Sequence, residues 1–526
     1  MTATVTTTQR HGWLPSLSAG IWLFLLLGLT LSPMRMKFIS ADGDPCLHWR
    51  IGQWMIEHHA VIRTDQFSHT RFGAPLISKE WLSEVLWAAA GLALGWNGIV
   101  LVSALLIATT FWLLHRQLLA EGNELLLSTG LVMLAALTAS THWIARPHLF
   151  THLLTVVYAW QLRRFDRGQL SARRLLAVLA PSMVLWVNLH GAFFTGLMLI
   201  GIYFVGASGS LAGASSDRRA AIRRKIGQLA LVGLACGAVS LLNPNGWRLH
   251  AQIIGFLRTP ALTGLVDEFS PANFHTPGLE GFLIQLLLLG LLFLWGRVRL
   301  PAMDLLLIGV WGFFTLYSTR NVAIFAIVAT PILAEHLQSV SRAARNSCLM
   351  RWYHRVSADV TELDRHARGR GLVAVAVVLL VAAMAKPRVA GGEPLIATDI
   401  LTNRFPAAAV RFLHDHPGCV SGNMFNGYTW GGYLMLEMPE HKVFIDGRND
   451  FYGADLVKEF QKVDNVQPGW EGVLDKYAVS WIILPTGHPL ASLLVMRNDW
   501  HLLHDQPDPV ATIYVRWPAN AAATVP

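Results

Sequence analysis

Apolar and polar positions fall in long alternating blocks along this 526-residue chain. Apolar runs lie at about 17–34, 98–115, 125–142, 148–162, 175–189, 191–207, 226–242, 281–295, 303–317, 321–337 and 371–386. As helices they approach the length needed to cross about 30 Å of hydrocarbon. Arginines cluster between them. Arg163, Arg164, Arg167, Arg173 and Arg174 follow the fourth run, and Arg218, Arg219, Arg223, Arg224 and Lys225 follow the sixth. Arg297 and Arg299 follow the eighth, and Arg342, Arg345, Arg351, Arg355, Arg365, Arg368 and Arg370 the tenth. With a cytoplasmic amino terminus all four clusters fall on the cytoplasmic side, the side lysine and arginine favour. The loops 35–97 and 243–280 and the segment after 387 then face outward. Trp81 to Trp96 is apolar too, but counting it as a span would invert every later loop. It reads instead as a helix lying on or dipping into the outer face, ended at Gly95-Trp96-Asn97-Gly98. The first run has no small-residue cleavage site after it and reads as a retained span.

These blocks predict an α-helical polytopic membrane protein with about eleven transmembrane helices and a carboxy-terminal α/β extracytoplasmic domain. Residues 1–390 form the transmembrane domain and 391–526 the soluble one. In the first outer loop, Cys46 to His58 reads as an amphipathic helix with Leu47, Ile51, Trp54 and Met55 on one face. Beyond Pro387, KVFIDGR, VSWIILP and TIYVRW read as strands, and Phe405–His416 and Ala454–Val463 as helices.

Composition supports the membrane reading. The chain is 53% hydrophobic and 14% charged, with 20 tryptophans suited to interfacial anchoring. Mean hydropathy is +0.42. The net charge of +9 is placed by the arginine clusters between apolar runs, so no nucleic-acid partner is implied. None of the four cysteines form a CxxC pair. Cys46 and Cys419 both fall on the outer side, where a disulfide between them is compatible with the topology.

Candidate chemistry collects at the outer boundary. Asp42 and Asp44 follow the first span, and Lys79 and Glu80 open the apolar segment after the loop. Four polar knots border the spans on that side: Arg146-Pro147-His148, Asn188-Leu189-His190-Gly191, Asn243-Pro244-Asn245 and Thr319-Arg320-Asn321. Ionisable groups at a lipid boundary are costly and need partners or a wet cavity, so knots on one face point either to helix capping or to a polar cavity. Arg320 first, then Arg146, are the natural phosphate ligands, because arginine stays charged and presents a planar fork of donors. His148, His190 and Asn321 accompany them. The histidines His48, His58, His59 and His69 lack HExxH or comparable ligand spacing, which argues against zinc. A divalent cation such as Mg²⁺ or Mn²⁺, held by Asp44 or Asp42 with substrate phosphates, fits the way magnesium takes one or two carboxylates.

With Asp44, the helix to His58, Thr64-Asp65, Lys79 and Trp81 to Gly95 in that order, the first loop resembles that of the GT-C superfamily of membrane glycosyltransferases. This superfamily includes protein mannosyltransferases, the lipid A aminoarabinose transferase and oligosaccharyltransferases. The chain departs at Glu80, where Pro follows the lysine in that pattern, and at Pro45, where a second acid often stands. The chain also looks like a group of uncharacterised bacterial membrane proteins with this loop and a carboxy-terminal FIDGR segment. Asn426 to Tyr433 followed by Val443 to Arg448 is similar in layout to the start of the soluble domain of oligosaccharyltransferases. Trp430, Tyr433, Asp446 and Arg448 are thereby implied at the acceptor side, although the central Asp of the Trp-Trp-Asp-Tyr-Gly motif is missing. From the residues alone, Trp430 and Tyr433 read equally as a packed strand–turn core, and Asp446-Gly447-Arg448 as a tight turn with a local ion pair.

The resemblance implies a multi-pass enzyme of the bacterial inner membrane that moves a sugar from a polyprenyl-phosphate carrier to a glycan, lipid or protein acceptor. Asp44, or Asp42, would be the catalytic base or hold the metal, and Arg320 and Lys79 would neutralise the lipid phosphate. The rival reading is a non-catalytic membrane subunit or transporter of an envelope-polysaccharide system. The topology has a direct test: a reporter active only in the cytoplasm, fused after Pro526, stays silent. Activity there rejects both the span count and the outward placement of Asp44.

Overall fold

The computed structural model describes residues 14–264, 267–275, 277–294, 300–367, 369–385, 392–503 and 508–516. Arg297, Arg299 and Arg368 and the expected domain boundary at 390 lie outside them. The chain opens with α1 (Leu17–Leu31) and α2 (Met34–Ser40), which meet at 72° across Ser32-Pro33, as proline removes a helical donor. Next come α3 (Asp44–His58), α4 (Trp81–Leu94), α5 (Trp96–Ala120), α6 (Leu125–Ala139), α7 (His148–Asp166) and α8 (Ala172–Leu189). They are followed by α9 (Phe194–Gly209), α10 (Ser216–Val239), α11 (Trp247–Leu257), α12 (Pro260–Thr263), α13 (Glu280–Leu294), α14 (Ala302–Tyr317), α15 (Val322–Ala343), α16 (Cys348–His366) and α17 (Arg370–Met384).

Every expected apolar run lies on a helix, but fewer than eleven pass as spans. Among the described residues five helices are long and apolar enough to cross a membrane, and two bent pairs, α1–α2 and α16–α17, raise the number to seven. Helices α13 and α14 have 15 and 16 residues, short of the roughly 20 a perpendicular span takes. Helix α10 opens on Arg218, Arg219, Arg223, Arg224 and Lys225, which leaves only its second half apolar. Helix α4, with 14 residues, also falls short of a span and packs between α3 and α5. Large apolar side chains such as Phe24, Leu137, Val205, Leu234, Leu291 and Phe313 stand exposed on the helix surfaces, a pattern a water-soluble chain rarely shows and a multi-pass membrane protein requires.

The bundle is polarised. Helix α15 runs through its centre, buried without interruption from Val322 to Ala334, against α6, α7, α13 and α14. Helices α7 and α15 begin at a polar knot and end at arginines, whereas α8 and α10 begin at arginines and end at a knot. At the arginine end Arg163 meets Glu121 (3.1 Å), Asp304 (3.2 Å) and Glu335, and Asp304 also meets His336 at 3.2 Å. The knots therefore share the opposite end.

The carboxy-terminal lobe contains α18 (Ala407–Asp415), β1 (Asn423–Asn426), α19 (Gly431–Glu437), α20 (Asn449–Asp464), α21 (Trp470–Lys476), β2 (Val479–Pro485), α22 (Pro489–Leu494), β3 (Trp500–Leu502) and β4 (Ala511–Arg516). The sheet order is β1-β2-β4-β3, with β1 parallel to β2 and the other pairs antiparallel. Strand β2 is apolar and buried from Trp481 to Leu484 because both faces are covered there. Trp481 and Ile483 join the core shared with the helix bundle, and Ile482 and Leu484 face the lobe's own core of Phe425, Phe444 and Phe460. The expected strand at KVFIDGR is not one. Val443 makes a single bridge to Ser68 of the first loop, and Asp446 and Arg448 form buried ion pairs instead of extending a ladder. The Cys46–Cys419 disulfide is also absent: both thiols are free, Cys46 is buried at 0% exposure, and Cys419 donates to His416 O.

Helix α3 is the amphipathic helix expected, burying Leu47, Ile51 and Met55 against α4 and α19. Glycines permit the approach. A Cβ on Gly432 would stand 2.2 Å from Gly43 O, and one on Gly52 would stand 1.9 Å from Glu84 O. Gly432→Ala should therefore cost about 1–3 kcal/mol, the usual penalty of overpacking, and lower the unfolding midpoint in detergent. An unchanged midpoint would show that the lobe can shift away from α3 freely.

Candidate active site

At the knot end of the bundle three carboxylates close on one guanidinium. The turn Ala41-Asp42-Gly43 joins α2 to α3, and Asp42 Oδ1 accepts the Asp44 N–H at 3.0 Å. Asp44 does not cap α3: Gly43 holds the cap position, and no side chain bonds there. The Asp44 carboxylate faces Arg146 instead. Arg146 Nη2 pairs with Asp42 Oδ2 and lies 3.2 Å from Asp44 Oδ2, while Nη1 donates to Glu268 Oε1 at 3.0 Å. Arg146 is held in place from behind. The neighbouring Ala145 N–H donates to Phe38 O, and Ala145 O accepts from Trp87 Nε1, both at 3.0 Å. Glu268 is fixed through its carbonyl, which accepts from Ser318 Oγ (2.9 Å) and Thr319 Oγ1 (3.2 Å). All four charged side chains keep 20–25% of their surface exposed, so the cluster opens to solvent.

Electrostatics follow from this geometry. Burial opposes charge on Arg146, but Asp44, Asp42 and Glu268 outweigh it and hold the guanidinium firmly protonated. Burial raises the Asp42 carboxyl above its ordinary value, with Arg146 opposing and Asp44 adding. Burial also pushes Glu268 upward, yet Arg146 and then Arg320 win and hold it below the ordinary value.

Arg320 lies near enough to Glu268 to favour its charge. Its guanidinium stacks 5.1 Å from the Phe269 ring and, among the described residues, makes no hydrogen bond or ion pair. Lys79 is near enough for Arg320 to oppose its charge, but Asp450 and Glu80 more than compensate and, against burial, raise its pKa. Lys79 Nζ meets Asp450 Oδ1 at 2.9 Å, and Gln252 donates to Asp450 Oδ2 at 2.7 Å. His190 Nε2 lies 3.4 Å from Glu80 Oε1, and its Nδ1 is 2.7 Å from Thr151 Oγ1. His148 Nε2 donates to His142 O at 2.6 Å. The Asn321 amide donates to the Phe314 and Ser318 carbonyls and so closes the end of α14.

Two groups were invisible to sequence spacing. Glu268 sits in a loop with no motif around it. His48, from α3, meets Glu84 of α4 at 3.5 Å and Glu80 at 3.9 Å, and ligand atoms of all three lie within 4.8 Å of one another. The only hint was Glu80 and Glu84 at i and i+4, a spacing that shares one helix face.

The carboxy-terminal candidates are engaged by other groups of the protein. Trp430 is buried and donates through Nε1 to Arg404 O at 2.9 Å, and Tyr433 packs on Phe405 at a ring distance of 5.1 Å. Asp446 accepts from Arg448 Nη2 and from Tyr452 OH, each at 2.6 Å, and Arg448 Nη1 makes an ion contact with Asp65 Oδ1 at 2.8 Å. Gly447 lies against Asp44: a Cβ there would stand 2.2 Å from Asp44 Oδ1.

No family model matches the chain, and no curated protein matches its sequence. Solved structures do. The archaeal oligosaccharyltransferase AglB from Archaeoglobus fulgidus, in complex with an inhibitory peptide and a dolichol-phosphate, superposes with TM-score 0.56 at 14% identity over 94% of this chain and 71% of that one. The apo form of the A. fulgidus oligosaccharyltransferase gives 0.54 at 13% identity, over 91% and 70%. The form tethered by a disulfide bond to an acceptor peptide containing the NVT sequon gives 0.52 at 12% identity, over 89% and 68%. The chain has the fold of these oligosaccharyltransferase structures. The likeness runs through both the helix bundle and the carboxy-terminal lobe, because it covers nearly the whole chain.

The Lys79–Asp450 pair ties the first loop to the carboxy-terminal lobe and has a pH signature. Burial raises the Asp450 carboxyl, but Lys79 outweighs it and holds it below 3.8. A lowered carboxylate stabilises the fold above that ordinary value and loses its contribution as pH falls through the lowered one. The raised lysine stabilises below 10.5 and fails only above it, so the pair is intact across the neutral range. Asp450→Asn should cost roughly 1–3 kcal/mol, between exposed and buried pairs. The gap in unfolding midpoint between parent and variant should hold steady around neutral pH and close in strong acid. Equal midpoints at neutral pH would remove the pair from the ledger of contacts that matter.

Proposed function

We propose that the chain is a membrane glycosyltransferase that moves a sugar from a polyprenyl-phosphate carrier to an extracytoplasmic glycan, lipid or protein acceptor. The observation that carries this reading is Arg320, a half-buried, charged side chain without an ion partner among the described residues, at the same end of the bundle as Asp44. An uncompensated arginine at a lipid boundary is costly, and a lipid phosphate would supply the missing anion. The solved relative that holds a dolichol-phosphate has the same fold, which supports a lipid phosphate as the carrier here.

In the proposed reaction an acceptor hydroxyl attacks the anomeric carbon, the bond to the phosphate oxygen breaks, and the electron pair leaves with the lipid phosphate. Asp44 takes the hydroxyl proton through the oxygen facing Gly447, while Arg146 holds its other oxygen. Arg320 neutralises the departing phosphate, and Lys79, with a third of its side chain exposed, adds positive charge beside it. Fixed charges in a site of low dielectric stabilise such a transition state without reorganising. The resemblance implies a divalent cation at Asp44, but the donor set does not fit one. The oxygens of Asp42, Asp44 and Glu268 that face one another already meet guanidinium nitrogens. A cation about 2.1 Å from them would press against that positive charge, so no step is routed through a metal.

The topology accompanying this reading is a bacterial inner-membrane protein with a cytoplasmic amino terminus and the carboxy-terminal lobe outside. The eleven-span count remains part of it as a proposal, with α13 and α14 crossing as short helices. The rival reading, a non-catalytic subunit or transporter, draws on the contact between Arg146 and Asp44, which occupies one oxygen of the proposed base.

Two variants separate the readings. Arg320→Ala should weaken polyprenyl-phosphate binding by about 1.5–3 kcal/mol, the scale of a hydrogen bond to a charged group. Equal lipid affinity in variant and parent takes Arg320 out of the site. Asp44→Asn should insert at normal levels yet lose transfer by about a hundredfold or more, the scale of general acid–base catalysis. Full transfer by that variant moves the base to Asp42 or turns the reading to the non-catalytic rival.

A further inference from the structure

We infer that Arg146 is the resident cation of this site: its guanidinium takes the place between Asp42, Asp44 and Glu268 that a divalent metal would fill, and the chain works without one there. The inference deepens the glycosyltransferase reading and rests on it for the site's purpose, but its geometry stands independently.

Three features support it. The carboxylates come from two segments far apart in sequence, Asp42 and Asp44 from the α2–α3 turn and Glu268 from the loop after α12, and they converge on Arg146 alone. Convergence of acids from separate segments is what a cation site needs. Here the cation is covalently part of the chain. Second, the arginine is shared between its two terminal nitrogens, Nη2 toward the aspartates and Nη1 toward Glu268. A planar fork spreads one charge over several acceptors in this way, which a lysine cannot do. Third, Arg146 is placed by backbone contacts on both sides of Ala145 and by Pro147, which favours an extended conformation at residue 146. It is therefore not a surface arginine that has swung into a vacant site.

A guanidinium in this position does two jobs of a metal. It holds Asp42 and Asp44 in fixed register, and it keeps three acids together at neutral pH. It does not supply open coordination positions, so phosphate recognition passes to Arg320, whose guanidinium has no ion partner among the described residues. The division gives each of the two arginines that act on Glu268 its own task.

The test uses the full-length chain in detergent, with Mn²⁺ as probe, read by electron paramagnetic resonance and by the unfolding midpoint in Mn²⁺ against EDTA. In the parent, the Mn²⁺ signal and the midpoint shift should be the same as in its Asp44→Asn and Glu268→Gln variants, whatever Mn²⁺ binds elsewhere. Arg146→Met leaves three acids uncompensated and should gain a Mn²⁺-dependent rise in midpoint that Arg146→Met/Glu268→Gln lacks. Should Arg146→Met fail to fold without Mn²⁺ and fold with it, the same conclusion follows. Mn²⁺ binding by the parent that Asp44→Asn or Glu268→Gln abolishes overturns the inference, whether or not Arg146→Met folds. Neither readout depends on sugar transfer. A parent that binds Mn²⁺ at Asp44 leaves the glycosyltransferase reading standing with a metal, and a parent without transfer leaves the cation assignment intact.

Discussion

The site exists because the first loop is clamped onto the carboxy-terminal lobe. Arg448, buried with Asp65, Asp446 and Tyr452, links residue 65 of that loop to residue 446 of the lobe. Neighbouring backbone bonds extend the clamp: His69 N to Val443 O and Val443 N to Phe67 O, each at 3.0 Å. Thr70 Oγ1 adds a bond to Phe444 O at 2.6 Å. Removing one partner of such a buried pair strands the other charge, at about 3–5 kcal/mol. The same clamp presses Gly447 on Asp44 and α19 on the Asp42–Asp44 turn, so the aspartates have one position only.

A second constraint is charge placed in a mostly apolar bundle. Each end solves the problem by pairing. At one end Arg163 binds Glu121, Asp304 and Glu335; at the other Arg146 binds Asp42, Asp44 and Glu268. Both are hubs of one guanidinium among three carboxylates, the geometry for which arginine's fixed fork of donors is suited. Arg320 breaks the pattern. It is held over the Phe269 ring, beside a hub already supplied with its own arginine.

Much of the fold was legible in the chain. Period and length located the apolar helices, the amphipathic face of α3, and strands β2 and β4. The exceptions have physical causes. KVFIDGR has strand composition, but Asp446 and Arg448 find ion partners in the first loop, and burying those charges unpaired would cost more than a lost ladder. Trp430 and Tyr433 pack into the core that the lobe shares with α3, as their reading as a packed strand–turn core expects. Length alone does not decide the number of spans, because runs near fifteen residues are ambiguous between a crossing helix and a buried one.

What the sequence determined by itself was the polarity of α7, α8, α10 and α15, with arginines at one end and polar knots at the other, and the acids just after the first span. Those are local properties, fixed by residue type and by the 1.5 Å rise of the helix. Only the tertiary structure decided which charges meet. It set Glu268 beside Asp42 and Asp44, gave Arg146 to the acids and left Arg320 without an ion partner, and put His48 between two glutamates. Such choices depend on desolvation and on distances of a few ångströms between segments hundreds of residues apart, and no local pattern encodes them.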